Sequence, residues 1–230
     1  MRIVNIVKDL LHLFYPQLCG ACKKTLFKHE TELCSICLKT LPYTRFSPNH
    51  KASLERIFWG RIPMQFVYSL LYFDKRSRVQ NILHALKYKG RAALGVRLGE
   101  LMKEDLTQFN ALYPIDEIIA VPLHKRRLEE RGYNQAETIA RGIAKVLEIP
   151  LNTCRLERSR YTQTQTKFTR EKRADNLKNV FVVNAPQELK GKHILLIDDV
   201  LTTGATLEAC SSALLMETDL KISVAVVAFA

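Results

Sequence analysis

The sequence lacks several features that would place it in a large class of proteins. It contains no stretch of about 18 apolar residues, the length that a transmembrane helix needs, and no internal repeat or low-complexity tract. Acidic residues are scarce relative to basic ones, because 23 Asp and Glu stand against 35 Lys and Arg, a net charge of +12. We therefore expect no membrane span, and the charge favours an anionic partner such as a phosphate compound, a nucleic acid or a membrane surface.

We also expect no secretory signal peptide. The N-terminal apolar run is interrupted by Lys8 and Asp9, and its apolar residues recur at helical spacing between Ile3 and Phe14. This pattern predicts an amphipathic helix that packs on its own chain, because the polar face lacks the basic enrichment of a membrane anchor. We expect a cytoplasmic protein.

Four of the six cysteines form two pairs, Cys19-x-x-Cys22 and Cys34-x-x-Cys37, separated by 11 residues. Such pairs can bring four thiolates onto one Zn²⁺ in a tetrahedral arrangement. Disulfides are the alternative, but a reducing compartment favours zinc. His29 is a possible substitute ligand, and the remaining cysteines, Cys154 and Cys210, are expected to be small core residues.

The chain is long enough for one large domain and a small module. We predict an N-terminal helix and structural zinc module over residues 1–42 and a proline-containing linker over 43–63. The main domain is predicted to cover residues 64–230.

Strand-like and helical patterns alternate along this main domain. Apolar runs predict strands at 66–73, 118–121, 180–183, 194–197 and 222–229, and apolar residues at helical spacing predict helices at 79–86, 92–109 and 136–147. This alternation predicts an α/β fold with a doubly wound, mostly parallel sheet.

The segment 194–206 is the most informative part of the chain. An apolar strand, Ile194 to Ile197, is followed by Asp198 and Asp199 and then by a hydroxyl-rich turn that leads into a helix. Helix N-termini bind phosphate through free backbone N–H groups, and carboxylates bind sugar hydroxyls or hydrated Mg²⁺. An ordinary turn with helix-capping Asp and Thr is the alternative, but two adjacent acids at a buried strand end favour a ligand.

Residues 196–206 resemble the phosphoribosyl pyrophosphate (PRPP) motif of type I phosphoribosyltransferases. The resemblance implies that Asp198 and Asp199 contact the ribose hydroxyls, together with Mg²⁺. It implies that the loop holds the 5′-phosphate; the loop residues are Thr202, Thr203, Gly204, Ala205 and Thr206.

A second resemblance, to the ComF family of competence and DNA-utilisation proteins, covers nearly the whole chain. It is carried by the cysteine quartet, Ala85 to Gly90, Val121 to His124 with Arg127, Arg131 to Ala136, Thr162 to Gln165, Arg173, Asn176-Leu177, Phe181 and the PRPP motif. The resemblance implies a zinc module joined to a type I phosphoribosyltransferase-like domain. It also implies a pyrophosphate-binding loop after Val121 and a flap at 158–173 that closes over the site.

Three basic residues are our candidates for contacting the pyrophosphate leaving group, namely Lys87, Arg127 and Arg131. Lys87 lies in one basic segment, and Arg127 and Arg131 lie in a second. A third basic segment, 155–178, has eight basic and three acidic side chains. No segment is recognisable as an acceptor-base pocket.

Three functions remain open at this point. One is a true phosphoribosyltransferase of nucleotide metabolism. Another is a PRPP-binding protein of DNA uptake that holds single-stranded DNA, with Tyr43, Tyr88, Tyr133 and Tyr161 available to stack on bases. The third is a module whose zinc knuckle docks a helicase or another competence protein. We favour a combination of the first two.

Overall fold

The computed structural model describes residues 16–45, 54–75, 77–158 and 180–230. The predicted N-terminal helix lies outside these residues, as do residues 46–53 of the predicted linker and residues 159–178 of the third basic segment. Within the described ranges, no helix combines the length and the apolar character that crossing a bilayer requires.

The main sheet has five strands, all parallel, in the spatial order β1-β7-β6-β2-β3. These strands are β1 Met64–Tyr72, β2 Glu117–Ala120, β3 Leu151–Asn152, β6 His193–Leu201 and β7 Lys221–Phe229. The central strands are buried on both faces, which explains their continuous apolar sequences. The predicted α/β fold with a parallel sheet is confirmed.

Two short strands lie outside this sheet. β4 (Leu156–Arg158) and β5 (Phe181–Val183) form an antiparallel pair of their own. The segment 180–183 was expected as a strand of the main domain, and it does form a strand, but one that pairs only with β4 among the described strands.

Seven α-helices lie within the described residues, and the helices predicted at 79–86 and 136–147 lie close to their observed bounds. The seven are α1 Ser35–Thr40, α2 Arg78–Tyr88, α3 Ala92–Leu101, α4 Lys103–Leu112, α5 Lys125–Arg131, α6 Gln135–Leu147 and α7 Ala205–Glu217; short 3₁₀ turns cover Glu55–Phe58 and Pro186–Leu189. The single helix predicted over 92–109 is wrong, because Met102 ends α3 and caps α4.

The order of the strands creates a crevice at the carboxyl ends of β2 and β6. From β2 the chain moves through α5 and α6 to β3 at one edge, and from β6 it moves through α7 to β7 on the other side. Because such crossovers are right-handed, the two connections cover opposite faces of the sheet. Ligands of open α/β sheets bind at such a topological switch point.

Helices α3 and α6 cross with their backbones nearly in contact. A Cβ atom built on Gly99 would lie 2.1 Å from the carbonyl oxygen of Ile139, and one on Gly142 would lie 2.1 Å from that of Val96. Glycine is therefore required at both positions, and the crossing fixes α6 firmly against α3.

The described part of the cysteine module, residues 16–42, shares an apolar core with the sheet domain. The Asn81 side chain in α2 donates a hydrogen bond to the Ala21 carbonyl at 2.8 Å, and Arg91 donates one to the Leu18 carbonyl at 2.8 Å. Arg91 also pairs with the Glu32 carboxylate at 2.6 Å. The module is thus attached to the start of α3 and to α2; the predicted domain boundaries stay a prediction.

Candidate functional site

The acid pair lies near the carboxyl end of β6. The strand continues to Leu201, so Asp198 and Asp199 are inside a hydrogen-bonded strand rather than just beyond it. The Asp199 backbone N–H donates to Asp198 Oδ1 at 2.8 Å. Burial, followed by the charge of Asp199, raises the pKa of Asp198 to about 7, an effect that Lys87 and Arg158 partly offset.

Lys87 brings a positive charge to this pair from the last turn of α2. Its Nζ lies 3.0 Å from Asp199 Oδ2, and both side chains are largely buried. The C-terminal end of α2 is held in place because the Tyr133 hydroxyl donates a hydrogen bond to the Leu86 carbonyl. Gly90, with φ +63°, then turns the chain towards α3.

The three basic candidates line one cavity. It has a volume of about 640 Å³ and is bounded by Lys87, Tyr88, Gly90, Arg127, Glu130 and Arg131. The Arg131 guanidinium lies 5.5 Å from the centre of the Tyr88 ring and donates a hydrogen bond to Gln135 Oε1 at 2.7 Å. We call this the basic cavity. Lys87 belongs both to it and to the acid pair, so the two features are adjacent.

Helix α5 carries two of these arginines and is positioned at both ends. The His124 ring accepts a hydrogen bond from the Arg126 backbone N–H at its start, and Gly132, with φ +77°, ends it in the left-handed region. Asn134 then caps α6 and donates a side-chain hydrogen bond to the Val121 carbonyl at 3.0 Å. These contacts fold the predicted pyrophosphate loop back onto the end of β2.

The threonine-rich loop between β6 and α7 presents hydroxyls and backbone to solvent. Thr202, Thr203, Ala205 and Thr206 are exposed, and Gly204 caps α7 with no side chain at φ +78°. The Ala205 N–H makes a long contact of 3.5 Å with Thr203 Oγ1. The first turn of α7 therefore offers the donors that a phosphate group binds.

The 3₁₀ turn Glu55–Phe58 packs against this loop. Phe58 is fully buried, and a Cβ built on Gly204 would lie 2.9 Å from Ile57 Cγ2 and 3.0 Å from Phe58 Cε1. Arg61 and Glu208 form an ion pair between this segment and α7. Part of the predicted linker thus packs against the loop.

Sequence reasoning did not single out Arg158, although the structure places it here. It ends β4, and its guanidinium lies 5.6 Å from the centre of the Phe181 ring. Burial, and then the charge of Arg127, lower its pKa, whereas Asp198 acts in the opposite sense. Arg158 therefore lies close to both the acid pair and the basic cavity. In the sequence it is part of a basic segment and the first residue of the expected flap, but it was not named as a site residue.

The structure brings the sulfurs of Cys19, Cys22, Cys34 and Cys37 together, all within 4.8 Å of one another. The Cys22 and Cys34 sulfurs are 3.7 Å apart. Four-coordinate zinc with Zn–S bonds of about 2.3 Å requires sulfurs about 3.8 Å apart. The cluster could therefore hold a metal ion, and its geometry fits zinc.

The pKa shifts within the cluster differ in direction. Burial opposes ionisation of Cys19, but backbone N–H groups, including that of Cys34 at 3.3 Å, lower its pKa to about 7. Burial raises the pKa of the Cys37 thiol well above its usual range. A cation among these sulfurs would supply the charge that such buried thiolates need.

The other predicted cysteine and histidine positions had mixed outcomes. Cys210 is buried in α7 as expected, but Cys154 is exposed, so its assignment to the core is wrong. His29 stacks on Phe27 and is not one of the clustered residues. The flap predicted at 158–173 lies outside the described residues apart from Arg158, and so does Tyr161.

Comparison with known proteins agrees with this geometry. Residues 134–230 match the family described as "Phosphoribosyl transferase domain". The chain is 28% identical over 214 residues to DNA utilization protein YhgH of Salmonella typhi, covering 88% of this chain and 92% of that protein. It is 27% identical over 222 residues to Competence protein F of Haemophilus influenzae, covering 87% and 92%. It is 23% identical over 202 residues to Competence protein ComFC of Bacillus subtilis, covering 86% and 78%.

The chain is similar to these three relatives over most of its length. The phosphoribosyl transferase match begins at Asn134, the cap of α6, and covers only the later part of the chain. The α2 segment with Lys87 and the loop with Arg127 and Arg131 therefore lie before that match. The basic cavity is built by residues that lie outside the transferase match.

Proposed function

We propose that this protein is a member of the ComF family, that it binds PRPP at the carboxyl ends of β2 and β6, and that it acts in DNA uptake or DNA utilisation. One observation carries the PRPP proposal: Lys87 bridges an acid pair suited to ribose hydroxyls and a basic cavity suited to pyrophosphate, with a 3.0 Å contact to Asp199. The exposed threonine loop at the same edge of the sheet supports it.

Each part of the site has a proposed role. Asp198 and Asp199 accept hydrogen bonds from the ribose hydroxyls, and the loop from Thr202 to Thr206 binds the 5′-phosphate through hydroxyls and backbone N–H groups. Mg²⁺, bound with PRPP at the acid pair, would neutralise charge on the pyrophosphate. Lys87, Arg127 and Arg131 contact the pyrophosphate directly.

Transfer from PRPP breaks the bond between the anomeric carbon and the pyrophosphate oxygen and forms one to an acceptor nucleophile, which loses a proton. Negative charge accumulates on the leaving pyrophosphate while the sugar becomes cationic. The three basic side chains stabilise that charge because they converge on one cavity rather than on solvent.

Zinc is the proposed metal of the cysteine cluster, with a structural role. All four cysteines would act as thiolate ligands, which leaves no open coordination position for catalysis. The backbone carbonyls of Leu18 and Ala21, next to the first cysteine pair, accept hydrogen bonds from α2 and from the residue that precedes α3. Metal binding would therefore stabilise the attachment of the module as well as the module itself.

The DNA role is supported by the names of the relatives and by the net charge of +12. We propose that the protein works in the cytoplasm and holds single-stranded DNA; a helicase or another competence protein would be its protein partner.

A true phosphoribosyltransferase of nucleotide metabolism with no DNA role is the second candidate, favoured by the transferase match. Release of pyrophosphate from PRPP with nucleobases or amines, but not with single-stranded DNA, would favour this candidate.

Calorimetric titration with PRPP and Mg²⁺ tests the sugar site. Asp199→Asn should weaken binding by about 1–3 kcal/mol, the value of a charged hydrogen bond. The matched control is Asp219→Asn, which makes the same change at an exposed residue at the opposite edge of the sheet, before β7. No binding by the wild type, or equal affinities in the two variants, would contradict the assignment.

A further inference from the structure

A second cavity, of about 720 Å³, lies between the cysteine module and α2. The module contributes Leu18, Cys19, Gly20, Lys23 and Glu32, and the sheet domain contributes Asn81, His84, Ala85, Lys89 and Arg91, with Gln17 at the rim. We call it the module cleft. Its volume falls in the range of roughly 300–1,000 Å³ that is typical of ligand sites. None of these residues was assigned to the sugar site.

The module cleft is held in shape by the contacts across it. Asn81 and Arg91 bind backbone carbonyls of the module, and a Cβ on Gly20 would lie 2.9 Å from the Leu94 side chain. The ion pair between Arg91 and Glu32 neutralises the one acidic side chain among the lining residues. The cleft is therefore preformed, and its remaining charge is positive.

Two lysines carry that charge. Lys23 and Lys89 are exposed side chains on opposite walls, and within the described ranges neither takes part in an ion pair. The walls near them are partly apolar, with Leu18 and Ala85 among the lining residues. A ligand that combines a phosphate with an apolar ring fits this mixture of charge and apolar surface.

Aromatic and cationic groups connect the module cleft to the basic cavity. The His84 ring, in the cleft, lies 5.1 Å from the ring of Tyr88, which is 65% exposed. Tyr88 lines the basic cavity, where the Arg131 guanidinium lies 5.5 Å from its ring. His84, Tyr88 and Arg131 thus form a continuous row along the end of α2. Planar groups of this kind stack on nucleobases.

We propose that the module cleft binds one nucleotide of a single strand, with its phosphate between Lys23 and Lys89 and its base against His84 and Tyr88. The strand continues along the row towards the basic cavity. A single strand is favoured over a duplex because only unpaired, unstacked bases expose their faces to such rings. This inference rests on the proposed DNA function and gives it a specific location next to the sugar site.

The test compares two double variants with the same change in net charge. Lys23→Glu with Lys89→Glu alters the cleft, and Lys103→Glu with Lys221→Glu alters exposed lysines at the start of α4 and at the amino end of β7. Binding of a fluorescein-labelled 12-nucleotide oligothymidylate is measured by anisotropy over a range of salt. The cleft variant should bind at least about tenfold more weakly, and its salt slope should fall by about 0.7, for the one lost phosphate contact.

Thermal melting and titration with PRPP and Mg²⁺ show whether each variant is folded and keeps its sugar site. We expect both to be unchanged in both variants, because neither cleft lysine lines the basic cavity. Equal loss of DNA binding in the two double variants would overturn the cleft assignment and leave the proposed function intact. Absence of DNA binding by the wild type at low salt would overturn both the cleft and the DNA role, while the PRPP titration reports separately on the sugar site.

Discussion

Replacing Asp198 by Asn should stabilise the protein while impairing its proposed site. The pKa of Asp198 is raised from 3.8 to about 7, by burial first and then by Asp199. Above pH 7 the folded protein must therefore hold an ionised carboxylate in an unfavourable environment. Asn has nearly the same shape, and its Oδ1 can still accept the hydrogen bond from the Asp199 N–H.

The pH dependence of the effect follows from linkage. Between the unfolded and the folded pKa, the native state binds more protons at Asp198 than the unfolded state, so wild-type stability falls as the pH rises from about 4 to about 7. The variant lacks this contribution. Its stability advantage should be near zero at pH 4, grow through this window and become constant above pH 7.

The stability gained by Asp198→Asn above pH 7 has an upper limit, which solvent screening reduces. A rise from 3.8 to about 7 corresponds to at most about 4 kcal/mol. Solvent screening at this partly exposed side chain reduces the effect to about 1–2 kcal/mol. For a chain of this length, each kcal/mol raises Tm by about 2–4 °C.

Urea unfolding at pH 4.5, 6 and 8, in buffer without Mg²⁺, measures the difference. Asp219→Asn is the control for a general loss of negative charge. A variant that is no more stable than the wild type at pH 8, or one whose advantage does not change with pH, would refute the reasoning. The same variant should bind PRPP more weakly, which would make Asp198 a residue that trades stability for binding.

Three further predictions concern stability and metal content. Purified protein should contain one zinc per chain by mass spectrometry, and Cys19→Ser should lose it; metal-free protein prepared without chelator would contradict this. Gly204→Ala should lower the free energy of unfolding in urea by about 1–3 kcal/mol and weaken PRPP binding, because φ is +78° and the new Cβ would meet Ile57. An unchanged PRPP affinity would contradict the assignment of this loop to the site. Gly142→Ala should prevent stable folding, judged by circular dichroism, because its Cβ would lie 2.1 Å from the Val96 carbonyl oxygen; a native melting curve would refute the close crossing.

Local patterns were enough to predict most of the sheet domain. The buried strands of a parallel sheet have continuous apolar sequences, and α6 has a clear amphipathic repeat, so both were predicted close to their observed bounds. The end of β6 was not, because its pairing with β7 continues past the two acids to Leu201. The end of a strand depends on its pairing with a neighbouring strand, which its own sequence does not show.

The break between α3 and α4 illustrates a second limit. No proline or glycine stands at Met102, and the apolar spacing continues across it. The prediction of the site residues was limited in the same way, because their contacts depend on the fold. Lys87 and Asp199 are far apart in the chain, and the proximity of Arg158 to Asp198 depends on the β4–β5 pair. Motifs identified the acids and the threonine loop, and the sequence offered Lys87, Arg127 and Arg131 as candidates, but only the fold shows that Arg158 lies near them.

The attachment of the cysteine module also has a consequence for the order of biosynthesis. The partners of Ala21 and Leu18 in α2 and α3 come 60 and 73 residues later in the chain. Synthesis proceeds from the N-terminus, so all four cysteines leave the ribosome before either partner exists. A metal ion bound at that stage would fold the module while it is still unsupported, and the later helices would then dock on a finished surface.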